Sequence, residues 1–383
     1  MFFKEVSGMY NILVIVFSLI VYVPISYAAT YYVAKTGSNN NSCSQAQSPS
    51  SPKLTIAAGI GCLNGGDTLR IGAGSYSESI NAGSIPSGGS WSNTTKIVGA
   101  GASSGTRLVV GGDNTGIYAS SGFSYIEFFD LEIDGSNNTG HDGIKFDTSG
   151  VSHVRFTRVR THHFRNQGVL MTKEGNNDIQ FLQHESHHNG TGGSCYEHNR
   201  CHGMYITADN LLIDGAILHD NESNGIQIYP GPGANPIMRN SLVYNNPNWG
   251  LFVSGSFTNG KIYNNTITGN GQNYALTYDA SGCQVRNNIV YNNTQAIRTG
   301  CSQSNNFTSN PNFVSAGAND FRLQANSQAI NAGANVGSDV PTDKDGVSRP
   351  QGGAYDIGAY EYVSGGGGAQ PPFAPSNLQV TGN

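Results

Sequence analysis

Charge is scarce in this chain. Asp, Glu, Lys and Arg make up 12% of its 383 residues, and the formal net charge is −5. The dense basic face of a nucleic-acid binder is therefore not expected, and neither is a nucleic-acid partner. CxxC spacing is missing among the six cysteines, no HxH occurs among the ten histidines, and the one HExxH string, His184 to His188, falls in a strand pattern rather than on the helix that a zinc site of that kind needs. That removes the usual sequence signatures of zinc sites. Apolar runs long enough to cross a membrane are missing after the first 30 residues. Low charge with 51 Gly could signal disorder, but apolar residues recur throughout at the short intervals β structure needs.

The start differs from the rest. Lys4 precedes an apolar run from Ile12 to Val23, followed by Ser26-Tyr27-Ala28. This is the anatomy of a secretory signal over 1–28, with a membrane anchor as the alternative reading. It predicts a secreted or cell-surface protein, extracellular or periplasmic, with no stable membrane span once the signal is removed. Export would favour disulfides, and pairing sequence neighbours gives Cys43–Cys62, Cys195–Cys201 and Cys283–Cys301.

A repeat organises most of the remaining chain. Small residues that open short alternating strands fall at Gly116, Gly143, Gly168, Gly203, Gly225, Gly250, Ala275 and Ala296. Their intervals are 27, 25, 35, 22, 25, 25 and 21 residues, and the long one holds an insertion at 189–202. A second series of strands lies inside each repeat, from FFDLEIDG (128–135) to VRNNIVYN (285–292). Periods of this size, without helical patterning between strands, predict stacked β coils. Asn240, Asn264 and Asn287 fall at one equivalent position, and Asn221, Asn246, Asn270 and Asn293 at another. Stacked Asn at turns can bond to the coils above and below, so both sets are expected to be structural.

The GI-x-I strands, the Asn-rich turns and the opening YYVAKTGS…TIAAG…GDTLRIGAGSY resemble secreted right-handed parallel β-helix proteins of the pectate-lyase-like type. The resemblance covers about residues 30–330. It implies an all-β solenoid: an N-terminal cap and first coils over 29–113, with a helix at Leu54–Leu63, then the core over 114–308. SQAINAG (327–333) and GAYDIGAYEY (353–362) resemble the segment that closes many such proteins, here 309–362. Residues 363–383 read as a Gly/Pro-rich linker or truncated module.

All ten histidines lie between His141 and His219. Side chains alternate in and out along a strand, so equivalent outward positions in successive coils form columns about 4.8 Å apart. The second strand series gives an outward column of Glu132, Arg160 and Glu185, and beside it Asp134, His162, His187, His219 and Tyr244. The first series gives Tyr118, Lys145, Leu170, Tyr205, Gln227, Phe252, Thr277 and Arg298. The insertion adds Glu197, His198 and Arg200, with His202 at its exit; His153 and His184 read as structural.

For a carbohydrate-active protein of the type the resemblance implies, the leading reading is β-elimination on an acidic, uronate-containing polysaccharide, by a monomer. That chemistry needs a cation beside the uronate, a base for its α-proton and an acid at the leaving oxygen. Candidates are Lys145, Arg160 and Arg200 as neutraliser or base, His162, His187 or His202 as base, and Tyr205 as acid. Glu132, His188, Glu197, His198, Arg200, His219 and Tyr244 are candidate substrate contacts. A Ca²⁺ ion held by Asp142, Asp147 or Glu185 could replace the cationic side chain, and stacked imidazoles could converge on another ion. A glycoside hydrolase would instead use two carboxylates drawn from Glu132, Asp134, Glu185 and Glu197. The NTD and RIK motifs of polygalacturonases, the Trp-Ile-Asp-His of pectate lyases and the DPHD of alginate epimerases are absent. A non-catalytic, glycan-binding surface protein is the third reading.

Overall fold

The computed structural model describes residues 28–101, 105–191 and 201–364. The expected signal, the 363–383 tail beyond residue 364, and Cys195, Glu197, His198 and Arg200 lie outside the described residues. Each strand of three long sheets pairs in parallel with its equivalent one coil away, giving a right-handed parallel β-helix. Sheet 1 has 11 strands, from Thr30–Val33 to Ser302–Ser304. Sheet 2 has nine, from Gly74–Tyr76 to Ile289–Tyr291. Sheet 3 also has nine, from Ile80–Asn81 to Gln295–Thr299.

The N-terminal helix is shorter than its apolar spacing predicts, Ile56–Ile60 only. Thr55 caps it by accepting from the Ala58 N–H, while Gly59 and Gly61 are poor helix formers that curtail it. Gly59 is there for space: a Cβ would meet Val33 and Leu69 side-chain atoms at 2.5 and 2.7 Å. Two of the expected disulfides, Cys43–Cys62 and Cys283–Cys301, are formed. Among the described residues no helix is long and apolar enough to cross a membrane.

One coil cannot bury its own apolar face, so the core exists only through stacking. Phe128, Phe156 and Phe181 stack inside sheet 1 at centroid separations of 5.0 and 4.9 Å, all fully buried. At the turn from sheet 2 to sheet 3, the side-chain amides of Asn189, Asn221, Asn246, Asn270 and Asn293 form a continuous ladder. Each donates Nδ2–H to the next Oδ1 at 3.0–3.1 Å. This satisfies buried polar groups that a solenoid turn would otherwise strand.

Asn240, Asn264 and Asn287 keep only part of their expected coil-to-coil bonding: Asn287 donates to Asn264 Oδ1 at 3.2 Å, and Asn240 donates to Asp214 in the coil before it at 3.1 Å. They occupy the left-handed region at the turn from sheet 1 to sheet 2, with φ of 53°, 52° and 57°. The ladder at that turn runs one residue later, through Asn265, Asn288 and Asn306. Asn240, Asn264 and Asn287 also donate outward to the Thr342, Asp356 and Ala334 carbonyls. They pin the C-terminal segment along the flank of the solenoid. There Phe313, Phe321, Ala329, Ile357 and Ala359 form a second apolar cluster with Leu242, Tyr244 and Ile289. The outer face of sheet 2 is thereby covered in its later coils.

Candidate active cleft and histidine corner

Sheet 2 carries the two outward columns in the expected register. Glu132, Arg160 and Glu185 are aligned partners, as are Asp134, His162, His187, His219 and Tyr244. The rings stack at 4.9, 4.9 and 4.8 Å from His162 through His187 and His219 to Tyr244, within 12° of parallel. A second imidazole column, His163 over His188, stands edge-on to the first. The charged column is alternately paired: Arg160 Nε lies 2.6 Å from Glu185, and His162 Nε2 lies 3.0 Å from Glu132.

Burial sets the protonation of this row. It lowers His162, whose pairing with Glu132 only partly offsets it, and it takes His187 down to about 3. Burial also lowers His163 and His188. Burial pulls on His219 too, but the Glu185 and Asp220 carboxylates outweigh it and hold that imidazole above its ordinary value. Glu185, though desolvated, is held well below the carboxylate range by His219 and Arg160. The row is thus mostly neutral imidazole, ending in one His219–carboxylate pair.

Tyr244, an expected substrate contact, is 6% exposed and rests against Phe321 of the C-terminal segment. It is packing, because the segment covers that end of the column. His202, an expected base, is fully buried and its Nδ1 accepts the Asn224 N–H at 3.2 Å. It supports the turn into sheet 3 from inside.

Sheet 3 presents its own column, with Tyr118, Lys145, Leu170, Tyr205, Gln227, Phe252, Thr277 and Arg298 in register. Above it lies a cleft of about 540 Å³ whose lining includes His141, Asp142, Lys145, Asp147, Tyr205 and Tyr229. Lys145 and Tyr205 therefore share a cavity. His162 and His187 do not line it; they belong to the neighbouring sheet, separated by the turn whose far end, Asn166 and Gln167, borders the cleft. Of the expected calcium ligands, Asp142 and Asp147 are in the cleft, while Glu185 is on sheet 2.

Asp142 is the centre of the cleft. Its carboxylate is fully buried, accepts the Gln167 N–H at 3.1 Å, and lies 2.6 Å from His141 Nδ1 and 3.8 Å from Lys145 Nζ. A carboxylate can only accept, so His141 carries its proton on Nδ1 and leaves Nε2, which faces the Asn166 Nδ2 amide at 3.2 Å, as the basic nitrogen. His141 is one third exposed and half-faces the cavity. The sequence-based candidates did not include it; the signal was a His-Asp pair at the mouth of a strand whose next outward residue is Lys145. Tyr205 stacks loosely on Tyr229 at 6.2 Å, which gives the cleft an aromatic wall.

Comparison with known proteins bears on the fold. Among curated proteins, none matches the chain. The structure resembles the pectate lyase Pel9A, at 19% identity and a TM-score of 0.59, over 88% of this chain and 97% of that one. It also resembles a rhamnogalacturonan lyase, at 12% identity and a TM-score of 0.50, over 75% and 91%. The family described as right handed beta helix region matches residues 112–259 and 197–337, together more than half of the sequence. The chain belongs to the right-handed β-helix family.

Proposed function

We propose that this is an exported enzyme that cleaves an acidic, uronate-containing polysaccharide by β-elimination in the sheet 3 cleft. The observation that carries the reading is the buried Asp142 carboxylate holding His141 and Lys145 side by side at the cavity. Lys145 is the only Lys or Arg among the described residues that line the cleft, and it neutralises the substrate carboxylate. His141 Nε2 takes the proton alpha to that carboxylate, with Asp142 fixing the ring and stabilising the imidazolium. The carbon–oxygen bond at the β position then breaks, and Tyr205 supplies a proton to the leaving oxygen. Lys145 and Tyr205 stand two coils apart across Leu170, about 10 Å between backbones. That spacing leaves room for a sugar ring between the two side chains.

The solved structures of this shape named pectate lyase and rhamnogalacturonan lyase support an acidic polysaccharide as substrate. The two formed disulfides support export. A Ca²⁺ ion on Asp142 and Asp147 remains the alternative neutraliser, but both carboxylates are already paired, with His141 and Lys173. The hydrolase reading would draw on Glu132, Asp134 and Glu185, which stand on sheet 2 and do not line this cleft.

The test is a panel of uronate and neutral glycans, with and without EDTA, followed by the ultraviolet absorbance of the unsaturated product. Absorbing product from a uronate glycan, lost in Lys145→Ala, is expected. Reducing ends without absorbance would establish a hydrolase instead. Binding without turnover would make the protein a glycan-binding module.

A further inference from the structure

The histidine corner of sheet 2 takes no part in the cleft chemistry, yet it is the most unusual cluster in the chain. His162 Nδ1 and His163 Nδ1 face each other at 2.7 Å, and Asp134 Oδ1 lies 3.8 Å from His162 Nδ1. His162 Nε2 faces the Glu132 carboxylate at 3.0 Å, and a carboxylate can only accept. His162 therefore keeps its proton on Nε2 and points an unprotonated Nδ1 at its neighbour. A histidine whose outer nitrogen donates to a carboxylate while its inner nitrogen offers a lone pair is the oriented form that metal sites use.

The backbone adds a second, independent observation. His163 has φ of 56°. Later coils fill the same left-handed turn position with the ordinary turn formers Asn245, Gly269 and Asn292. Only across the histidine window do His163, His188 and Asp220 stand there, each with its donor atom turned to a column histidine. The turn does not need imidazole, but a ligand set does.

We propose that Asp134, His162 and His163 form a binding site for a divalent transition-metal ion of the zinc class. Two imidazole nitrogens and one carboxylate oxygen suit a borderline ion in four-coordinate geometry, with water at the fourth position. All three donor atoms already lie within 4.8 Å of one another. Ligand atoms about 2.0–2.1 Å from one ion stand roughly 3.3 Å apart, so small ring rotations from the present 2.7 Å suffice. Arg107 holds the Asp134 Oδ2 atom, while Oδ1 accepts the Ser136 N–H at 2.9 Å and keeps its second lone pair on the side of the histidines. The second triad, His188, His219 and Asp220, is committed differently: both ring nitrogens of His219 already face carboxylates, Asp220 at 2.6 Å and Glu185 at 3.3 Å. One ion per chain is expected. Two nitrogens and few oxygens do not suit Ca²⁺ or Mg²⁺.

The test uses Zn²⁺ and Co²⁺ alone, added to the full chain, with calorimetry and the visible absorption of tetrahedral Co²⁺. One equivalent should bind, Ca²⁺ should not compete, and Glu132→Gln should weaken binding about tenfold or more. His163→Asn gives the turn the residue used by later coils, so it should fold normally, checked by circular dichroism, and lose the cobalt spectrum. His188→Asn, one rung away, should keep it. Absence of binding, binding retained in His163→Asn, or equal loss in His188→Asn would overturn the site. Because the readout is metal binding, its failure leaves the lyase reading standing, and the converse holds.

Discussion

Asp142 Oδ2 lies 2.6 Å from His141 Nδ1, with the carboxylate closed off from solvent and the imidazole one third exposed. The pair has one buried partner that orients and one accessible partner that can react. Asp142→Asn keeps the shape but replaces one acceptor oxygen with a donor, which favours the wrong histidine tautomer. Turnover of the uronate substrate should fall about 10²- to 10⁴-fold, the span covered by general-base and orienting-carboxylate losses. Initial rates of ultraviolet-absorbing product decide it; a change of less than threefold would remove Asp142 from the mechanism.

If Lys145 acts by pairing with the substrate carboxylate, its value disappears when that charge is gone. Lys145→Met should lose kcat/KM strongly on the free polyuronate. On the methyl-esterified polymer, variant and wild type should differ far less. An equal loss on both substrates would make Lys145 a base or a structural group.

The repeat made the columns readable in advance. A period-2 strand and intervals near 25 residues place His162, His187 and His219 in one row whatever the turns do, and their register is as spaced. What covers a column was not readable. Tyr244 is aligned with the histidines yet buried under Phe321, because a segment 77 residues later folds back along the flank. Nor could spacing say which column borders a cavity. That depends on the angle between sheets 2 and 3 and on turn residues such as His141 and Asn166, which belong to no strand.

His184 gives a pH dependence with a definite sign. It is fully buried, and burial takes its pKa from 6.5 to about 3. Between those values the unfolded chain binds a proton that the folded chain refuses, so acidification favours unfolding. The stability is complete above about pH 6.5 and is lost toward pH 3, at up to about 1.4 kcal/mol per pH unit from this residue. Urea unfolding between pH 7 and pH 4 measures it. His184→Leu, which keeps the packing against Phe181 and gives up the Thr161 contact, should show a shallower slope; an unchanged slope would assign the acid sensitivity to other groups.

The C-terminal segment is anchored by charge as well as by apolar contact. Arg349 and Glu361 are both fully buried and lie 2.7 Å apart. The guanidinium also donates to the Asp356 and Gly358 carbonyls, and Glu361 accepts the N–H groups of Gln351 and Asp356. Removing one partner strands the other charge without water, which costs about 3–5 kcal/mol. Arg349→Met should therefore loosen the segment before the solenoid, because Asn ladders hold the coils independently of it. Limited proteolysis should cut within residues 309–364 while the coils stay intact. Arg349→Met with Glu361→Leu removes both charges and should recover much of the resistance. If the single and double variants are cut equally fast, the segment is held by its apolar cluster around Phe321 and Ile357 rather than by the ion pair.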